Sequence, residues 1–370
     1  MQRALTSWIA TGILLLSCGR AHAQATWRLV EEARFGSATD PRAELTKVLG
    51  VAVAPDGSVL VQEEATQGIL RFAADGRFLS SSGGKGSGPG EFRSMMPWGR
   101  APDGTLWIND PGNGRVTVMG ADGSYLRTMP IMNTDRLHVP VQPDRVGHLL
   151  MQVIRNPQSA NFDIAMQRRT KDGTVLDTLT VPSCSPPGPQ PTRMIRVGNR
   201  PMFYPLLPPS LSEVTADGAV WCSDAAHYRV FKLRLGQGDT LRTISGRATP
   251  VRYPAAMRDS AIAEFRRAVV KAGGTEGDVE ASAVPVNRPA ILALSEDDQQ
   301  RLWVMVPTTD AVGERYEVYS TTGALAARVA LPVPLFLRFS PVIVGSHVYA
   351  VVRDQDDVPT VVRFRISTGK

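Results

Sequence analysis

The residues best suited to bind a ligand are arginines that precede apolar segments of the chain. Arg93, Arg288 and Arg338 each stand shortly before such a segment, and His138 stands at an equivalent place. A guanidinium group donates two parallel hydrogen bonds to a carboxylate or phosphate, so arginines that converge from separate segments favour an anionic ligand. The full set of candidate ligand-binding residues is Arg93, His138, Arg196, Tyr204, Arg288 and Arg338.

The charges around these candidates leave two interpretations open. The segment from Thr178 to Ser212 contains no acidic residue but carries three arginines, which favours a surface that binds anions. In the other interpretation, the arginines form ordinary ion pairs with carboxylates on neighbouring loops. Those carboxylates are Asp310, Glu314, Asp354 and Asp356.

The elements that must position these residues are short antiparallel hairpins that repeat along the chain. Most repeats have a turn of the Pro-Asp-Gly kind followed by a large apolar residue, as in Pro102-Asp103-Gly104 and Trp107. A second turn, such as Asp122-Gly123, closes most repeats, because glycine supplies the positive φ that a tight hairpin turn needs. Two hairpins at a spacing of roughly 40–47 residues form the four-stranded unit of a β-propeller. Trp107, Trp221 and Trp303 occupy equivalent positions, which predicts packing between neighbouring units.

The segment from Gly83 to Leu126 resembles one complete NHL repeat. It contains a G-x-G-P-G-x-F pattern from Gly86 to Phe92 and a D-x-x-N-x-R pattern from Asp110 to Arg115, for which we expect a local ion pair. The resemblance to secreted bacterial NHL-type propellers extends over about residues 26–368 and implies an all-β, six-bladed β-propeller. Such relatives include binding and scaffold modules. They also include enzymes with a metal in the central channel, such as peptidyl-α-hydroxyglycine amidating lyases and gluconolactonase-like hydrolases.

The predicted architecture is a single domain over residues 24–370. The sixth repeat lacks a fourth strand, and we expect the alternating segment from Thr26 to Phe35 to supply it and so close the last blade. Insertions are expected near residues 182–209 and 246–287. The second insertion contains one predicted helix, with Ile262, Phe265 and Val269 on its apolar face.

The N-terminal segment resembles a secretory signal peptide. A short apolar run is followed by Ala21-His22-Ala23, which predicts cleavage after Ala23 and export to the periplasm or beyond. The alternative is a lipoprotein anchored through Cys18, because Leu15 to Gly19 is similar to a lipobox. No later segment has the roughly 18 consecutive apolar residues that a transmembrane helix needs.

Removal of residues 1–23 changes both the charge and the cysteine count. The segment contains two arginines and no acid, so the formal net charge falls from +6 to +4. This mild excess favours anionic ligands over nucleic acid, which would require basic residues interleaved with more aromatic ones. The two remaining cysteines, Cys184 and Cys222, form an even pair that favours a disulfide in an oxidising compartment.

The sequence predicts a binding or scaffold protein rather than an enzyme. No histidine or cysteine spacing typical of a metal site occurs, so no cofactor is expected, although calcium or zinc held jointly by several blades is left open. The expected partner of this monomer is a small anionic ligand, or an envelope protein or peptide, at the channel mouth that carries the long loops. The alternative is a metal-dependent lyase or hydrolase that acts on a small anionic substrate in the channel.

Overall fold

A computed structural model shows nearly all β-structure with one α-helix in the part of the chain that it describes. It describes residues 25–37, 39–101, 103–130, 141–144, 146–154, 164–180, 194–198, 200–209, 211–215, 217–235, 239–336 and 340–368. The predicted signal peptide, His138, Cys184 and Arg338 lie outside this described part of the chain.

The strands follow one another along the chain as short segments, and the α-helix α1 is Ala255–Lys271. The strands are β1 (Ala25–Phe35), β2 (Val48–Val53), β3 (Val59–Glu63), β4 (Gly68–Phe72), β5 (Phe78–Gly83), β6 (Gly99–Arg100), β7 (Leu106–Asp110), β8 (Arg115–Met119), β9 (Tyr125–Pro130), β10 (Val141–Pro143), β11 (Leu149–Ile154), β12 (Ile164–Arg169), β13 (Val175–Thr180), β14 (Met194–Val197), β15 (Arg200–Phe203), β16 (Leu211–Val214), β17 (Ala219–Ser223), β18 (Arg229–Arg234), β19 (Thr240–Ser245), β20 (Ala293–Glu296), β21 (Leu302–Pro307), β22 (Glu314–Tyr319), β23 (Leu325–Ala330), β24 (Val342–Val344), β25 (His347–Arg353) and β26 (Pro359–Thr368).

Among the described strands, four sheets are separate four-stranded blades of a propeller arrangement. Their strand orders are β2-β3-β4-β5, β6-β7-β8-β9, β10-β11-β12-β13 and β16-β17-β18-β19, so neighbours in the chain pair as antiparallel hairpins. Glycines at the predicted turns have positive φ, for example Gly104 at 84° and Gly123 at 84°. The predicted hairpins of these repeats are therefore confirmed, and the reason is local turn chemistry.

The remaining strands of the propeller correct the predicted count of six separate blades. They form one eight-stranded sheet in the order β20-β21-β22-β23-β1-β26-β25-β24. β1 pairs antiparallel with β26 from Trp27↔Thr368 to Phe35↔Val361, so the predicted docking of the N-terminal strand beside the last strands is confirmed. Its first residues also pair in parallel with β23, from Ala25↔Ala327 to Arg28↔Ala330. A strand has two hydrogen-bonding edges, and β1 uses both, which joins two strand quartets into one sheet.

Apolar clusters fill the seams between neighbouring strand quartets. Trp221 packs with Leu302 and Val304 across the seam between β16–β19 and β20–β23, and Trp303 packs with Val348 on the opposite side of β20–β23. Trp107 packs with Met151 of the next blade in the same manner. The predicted packing role of the three tryptophans is confirmed, because each repeat buries its large apolar residue against its neighbour.

The two predicted insertions contribute to one small cap with its own apolar core. The hairpin β14–β15 packs through Val197 against Val269 of α1, and Val284 completes the cluster. The helix buries Ile262, Phe265 and Val269 as predicted, and it ends before Gly273, whose φ is 97°. We use "cap" below for residues 194–207 and 251–284.

Two further sequence predictions concern cysteine pairing and the membrane. Cys222 is completely buried and disulfide-bonded, and its partner lies outside the described residues, so the Cys184–Cys222 pairing stays a prediction. In the part of the chain that the structure describes, α1 and the shorter helical turns lack the length and apolar character needed to cross a membrane.

Candidate functional site

A cavity of about 120 Å³ lies at the seam between the β16–β19 blade and the β20–β23 strands. One wall comes from the segment that follows β19, including Arg247 and Thr249, and the opposite wall comes from Thr308 and Thr309 between β21 and β22. Because antiparallel strands alternate in direction, this turn and the connection into β20 lie at the same end of the sheet. The cavity therefore lies at the end of the sheets where the long connections are expected. It lies at a seam between two sheets, however, and the sequence predicted a site at the mouth of the central channel. We call it the seam cavity.

The floor of the seam cavity is a buried hydrogen-bonded cluster contributed by both sides of the seam. Tyr228, which directly precedes β18, donates its hydroxyl hydrogen bond to Glu317 on β22. The hydroxyl groups of Tyr228 and Tyr319 lie 2.7 Å apart, and Tyr319 donates to the same carboxylate oxygen over 3.2 Å. This cluster ties the two sheets together at the position where the cavity begins.

Two arginines hold the Glu317 carboxylate from its own sheet. Arg315 Nη2 donates to Glu317 Oε1 over 3.0 Å, and Arg328 Nε donates to the same oxygen over 3.1 Å. Burial by itself would raise the pKa of Glu317, but hydrogen bonds from Tyr228, Arg315 and Arg328 outweigh it and lower that pKa. Glu317 is therefore an ionised, fully engaged carboxylate at neutral pH.

The two tyrosines of the floor remain protonated at neutral pH. Burial, together with the hydrogen bond to the Glu317 carboxylate, raises the pKa of Tyr228 far above its usual value. Burial also raises the pKa of Tyr319 to about 12. Neither the tyrosines nor Glu317 change protonation near neutrality, so the floor is suited to hold a ligand rather than to transfer protons.

The walls of the seam cavity carry cationic groups and hydroxyl groups. Among the described residues, no carboxylate pairs with Arg247, which is exposed at the rim. The Nε atom of Arg315 is buried and has no hydrogen-bond acceptor in the described part of the structure. Asp310 lies nearby but is exposed, and it accepts the backbone N–H of Gly313 over 2.8 Å. The cavity thus has one neutralised carboxylate, an exposed arginine at its rim and a buried guanidinium Nε without an acceptor, an arrangement that favours an anion.

The backbone beside Tyr228 requires glycine at position 246. A methyl group on Gly246 would overlap the ring of Tyr228, and the Gly246 N–H donates to the Tyr228 carbonyl over 3.0 Å. We expect Gly246→Ala to displace Tyr228 and to lower the free energy of unfolding by about 1–3 kcal/mol. Urea denaturation measures the loss. Gly277→Ala is the matched control, because the added methyl group meets only Thr275 at an ordinary contact distance. Equal stability of the two variants would contradict the packing argument.

Among the residues that the structure describes, those predicted from sequence to bind a ligand do not line the seam cavity. Arg93 and Arg196 are exposed, on the glycine-rich connection and on β14 respectively. Tyr204 is buried in the core of the cap, where its ring packs on Phe265 at 5.0 Å between centroids and its hydroxyl accepts the Glu280 N–H. His138 and Arg338 lie outside the described residues.

Arg288 follows the second interpretation of the arginines. Its guanidinium donates to Glu314 Oε1 over 2.8 Å and to the Gly313 carbonyl over 2.9 Å, so it forms an ion pair with one of the four carboxylates considered. Burial raises the pKa of Glu314, although the ion pair with Arg288 opposes that effect. Arg288 therefore forms an ion pair with a carboxylate on a neighbouring loop, as the second interpretation predicts.

The spacing of Arg315 repeats a pattern that the sequence shows elsewhere. Arg115 follows Asp110 by five positions, and Arg315 follows Asp310 at the same spacing. The predicted ion pair at the first of these positions is long, with 3.9 Å between Arg115 Nε and Asp110 Oδ2. Arg115 instead donates to carbonyl oxygens of the glycine-rich loop, including that of Glu91. Position in the repeat therefore places an arginine at the start of the third strand, but the partner of that arginine depends on which segments of the protein lie beside it.

No metal-binding group stands out in the described ranges of the chain. In them, no three histidine, cysteine, aspartate or glutamate side chains gather closely enough to hold an ion. The two histidines of the β16–β19 and β10–β13 blades are engaged in other contacts: His227 Nδ1 lies 2.9 Å from Asp224, and His148 Nδ1 lies 3.2 Å from Asp144.

Comparison with known proteins supports the propeller arrangement. No family profile and no curated protein sequence matches the chain. A member of the DUF4221 family from Bacteroides vulgatus is 10% identical, with a TM-score of 0.52 over 94% of this chain and 100% of that one. A protein from Bacteroides fragilis whose name describes it as exported is 12% identical, with a TM-score of 0.50 over 93% and 96% of the two chains. A gluconolactonase from Xanthomonas campestris is 11% identical, with a TM-score of 0.46 over 91% and 97%. Identities this low show a shared fold alone.

Proposed function

We propose that this chain is an exported binding propeller of the NHL type that holds a small anionic ligand in the seam cavity. The signal-peptide pattern supports export, and the repeat pattern from Gly83 to Leu126 supports the NHL assignment. The proposed ligand is a small anion, as the sequence predicts. The proposed site is the seam between two sheets rather than the rim of the channel.

The observation that carries the proposal is the surplus of guanidinium donors around a small cavity with both polar and aliphatic lining residues. Arg247 has no carboxylate partner in the described part of the chain, and Arg315 keeps a buried Nε without an acceptor. The threonine hydroxyls on both walls add donors that can rotate toward an anion. A carboxylate or phosphate group in the cavity would accept hydrogen bonds from the Arg247 guanidinium group and the threonine hydroxyls together, in a partly desolvated site where charge-assisted hydrogen bonds are strong.

Binding, rather than acid–base catalysis, agrees with the protonation states of the cavity floor. The Glu317 carboxylate is ionised and surrounded by donors, so it is a poor proton donor or acceptor at neutral pH. Tyr228 and Tyr319 are held in the protonated form by their raised pKa values. General acid–base chemistry needs a group that titrates near the working pH, and these three groups do not.

Isothermal titration with acetate and with inorganic phosphate at low ionic strength tests the proposal. We expect Arg247→Gln to weaken binding of the preferred anion by roughly tenfold or more, because one charge-assisted hydrogen bond is lost. This variant suits the test, since the described structure gives Arg247 no ion pair whose removal would disturb folding.

Arg267→Gln is the matched control. Arg267 is exposed on α1 and does not line the seam cavity, so its loss changes the net charge equally without removing a wall. Absence of binding by the wild-type protein, or equal weakening by the two substitutions, would refute the site.

The alternative function is a metal-dependent lyase or hydrolase for a small anionic substrate. It requires a set of metal ligands, and the described residues do not assemble one. Elemental analysis of the natively purified protein separates the two functions. Stoichiometric calcium or zinc would favour the enzyme, and a metal-free protein that retains its anion would favour the binding propeller.

A further inference from the structure

A second cavity of about 390 Å³ adjoins the seam cavity at Arg315, which lines both. Its wall includes four aliphatic side chains, Ala311, Val312, Ala330 and Leu331. The second cavity is about three times as large as the seam cavity. Aliphatic residues such as Val251 and Val306 line the seam cavity as well, but a larger share of the exposed wall is apolar in the second cavity.

The second cavity exists because of the unusual double pairing of β1. Thr26 lines it, and Thr26 lies opposite Arg328 in the parallel register between β1 and β23. β1 therefore supplies a wall beside the end of β23, where Ala330 and Leu331 stand. The turn between β21 and β22 supplies the opposite side through Ala311 and Val312.

The charged residues of the second cavity mostly have partners elsewhere. Glu314 pairs with Arg288 over 2.8 Å, and Arg328 donates to Glu317 over 3.1 Å. Arg315 also donates to Glu317, and Asp310 is exposed at the rim. The aliphatic groups are thus the part of this wall whose burial by a ligand would be favourable without breaking an ion pair.

We propose that the ligand is an amphipathic anion, with its anionic group in the seam cavity and a short aliphatic chain in the second cavity. This proposal rests on the proposed function and names the class of its ligand. Arg315 stands at the junction, where its guanidinium group contacts the head group while its methylene groups lie along the first carbons of the chain. A straight-chain carboxylate is the simplest molecule with both features.

Isothermal titration with acetate, butanoate, hexanoate and octanoate tests the proposal. We expect affinity to rise by about threefold for each added methylene group until the second cavity is filled. 6-Aminohexanoate, which places a cation at the end of a chain of the same length, should bind more weakly than hexanoate. Tighter binding of 6-aminohexanoate would overturn the assignment of an aliphatic chain to the second cavity.

Two matched variants on β23 test where the aliphatic chain of the ligand lies. Ala330→Asn introduces a polar side chain at an exposed position of the second cavity and should remove the gain with chain length, while acetate binding stays within about twofold. Ala326→Asn alters an equally exposed alanine of the same strand that does not line the cavity, and it should keep the full gain.

The outcomes separate this proposal from the proposed function. Acetate binding that depends on Arg247, with no gain for longer chains, would overturn the amphipathic ligand and leave the anion site intact. A chain-length gain that survives Ala330→Asn would also overturn it, since the chain would then lie elsewhere. Failure of every carboxylate and of phosphate to bind would refute both.

Discussion

Replacement of Glu317 by alanine should lower the free energy of unfolding by about 3 kcal/mol. Glu317 is 5% exposed and accepts hydrogen bonds from two arginines and two tyrosines. Its loss leaves the Tyr228 and Tyr319 hydroxyls without their acceptor and removes the counter-charge of Arg315 and Arg328. The arginine side chains are 40% and 43% exposed, so water compensates in part, and the expected loss lies at the lower end of that for a broken buried ion pair.

Urea denaturation with a double-mutant cycle measures this effect and apportions it. Tyr228→Phe alone should cost about 1 kcal/mol, because it removes one buried hydrogen bond. The double variant should cost less than the two single variants together, since both substitutions remove the same contact.

An exposed ion pair provides the control for the Glu317 cluster. Glu31 pairs with Arg34 over 2.7 Å on β1, with side chains 41% and 52% exposed, and Glu31→Ala should cost less than about 1 kcal/mol. A loss for Glu317→Ala no larger than for Glu31→Ala would show that the cluster does not hold the seam together.

Replacement of Glu213 by glutamine should make the protein more stable at pH 8.5 and leave its stability at pH 4.5 nearly unchanged. Burial and the nearby charge of Glu296 raise the pKa of Glu213 from 4.5 to about 7. Glu296 itself accepts hydrogen bonds from Trp221 Nε1 over 2.6 Å and from Lys232 Nζ over 3.2 Å. Lys232 is shared with Asp217 at 3.1 Å, so this one ammonium group already serves two other carboxylates.

The direction of the pH effect follows from which state holds the proton more tightly. The folded protein retains the Glu213 proton to higher pH than the unfolded chain, so the wild-type protein loses stability as pH rises from about 4.5 to about 7. Above that range the loss is complete and constant. A shift of this size corresponds to at most about 3 kcal/mol, and the partial exposure of the side chain reduces the expected difference to about 1–2 kcal/mol.

The measurement is the difference in unfolding free energy between the wild-type protein and Glu213→Gln at pH 4.5, 6, 7 and 8.5. Glu44→Gln is the control, because Glu44 is exposed and pairs with no cation in the described part of the chain. A difference between wild type and Glu213→Gln that does not change with pH would contradict the raised pKa.

Much of the local structure could be predicted because its causes are local. Asp-Gly turns at positions such as 122–123 require a positive φ that glycine adopts freely, so they mark hairpins without reference to the rest of the chain. The apolar spacing of Ile262, Phe265 and Val269 in the same way identified the buried face of α1. Position in the repeat placed Trp107, Trp221 and Trp303 at the seams between neighbours.

The candidate site was less predictable because its members come from separate repeats. The spacing of Asp310 and Arg315 marks the start of a third strand but does not show that Arg315 meets Glu317. Tyr228 contacts Glu317 across 89 positions of sequence, and this contact depends on how two sheets face each other. The channel-rim prediction assumed that long loops converge on a common axis. Tyr204 is instead buried in the cap, and Arg288 pairs with Glu314.

The sequence by itself determined the hairpins, the helix and the seam tryptophans, since each depends on residue type and near-neighbour spacing. Only the tertiary structure decided how the sheets join and where the candidate site lies. β1 has the alternation of an ordinary outer strand, and nothing in that pattern shows that its free edge will pair with β23. That second pairing merges two strand quartets and builds a wall of the second cavity. Hydrogen bonds between the edges of distant strands produce no periodic pattern in the sequence, so they can be identified only in the folded structure.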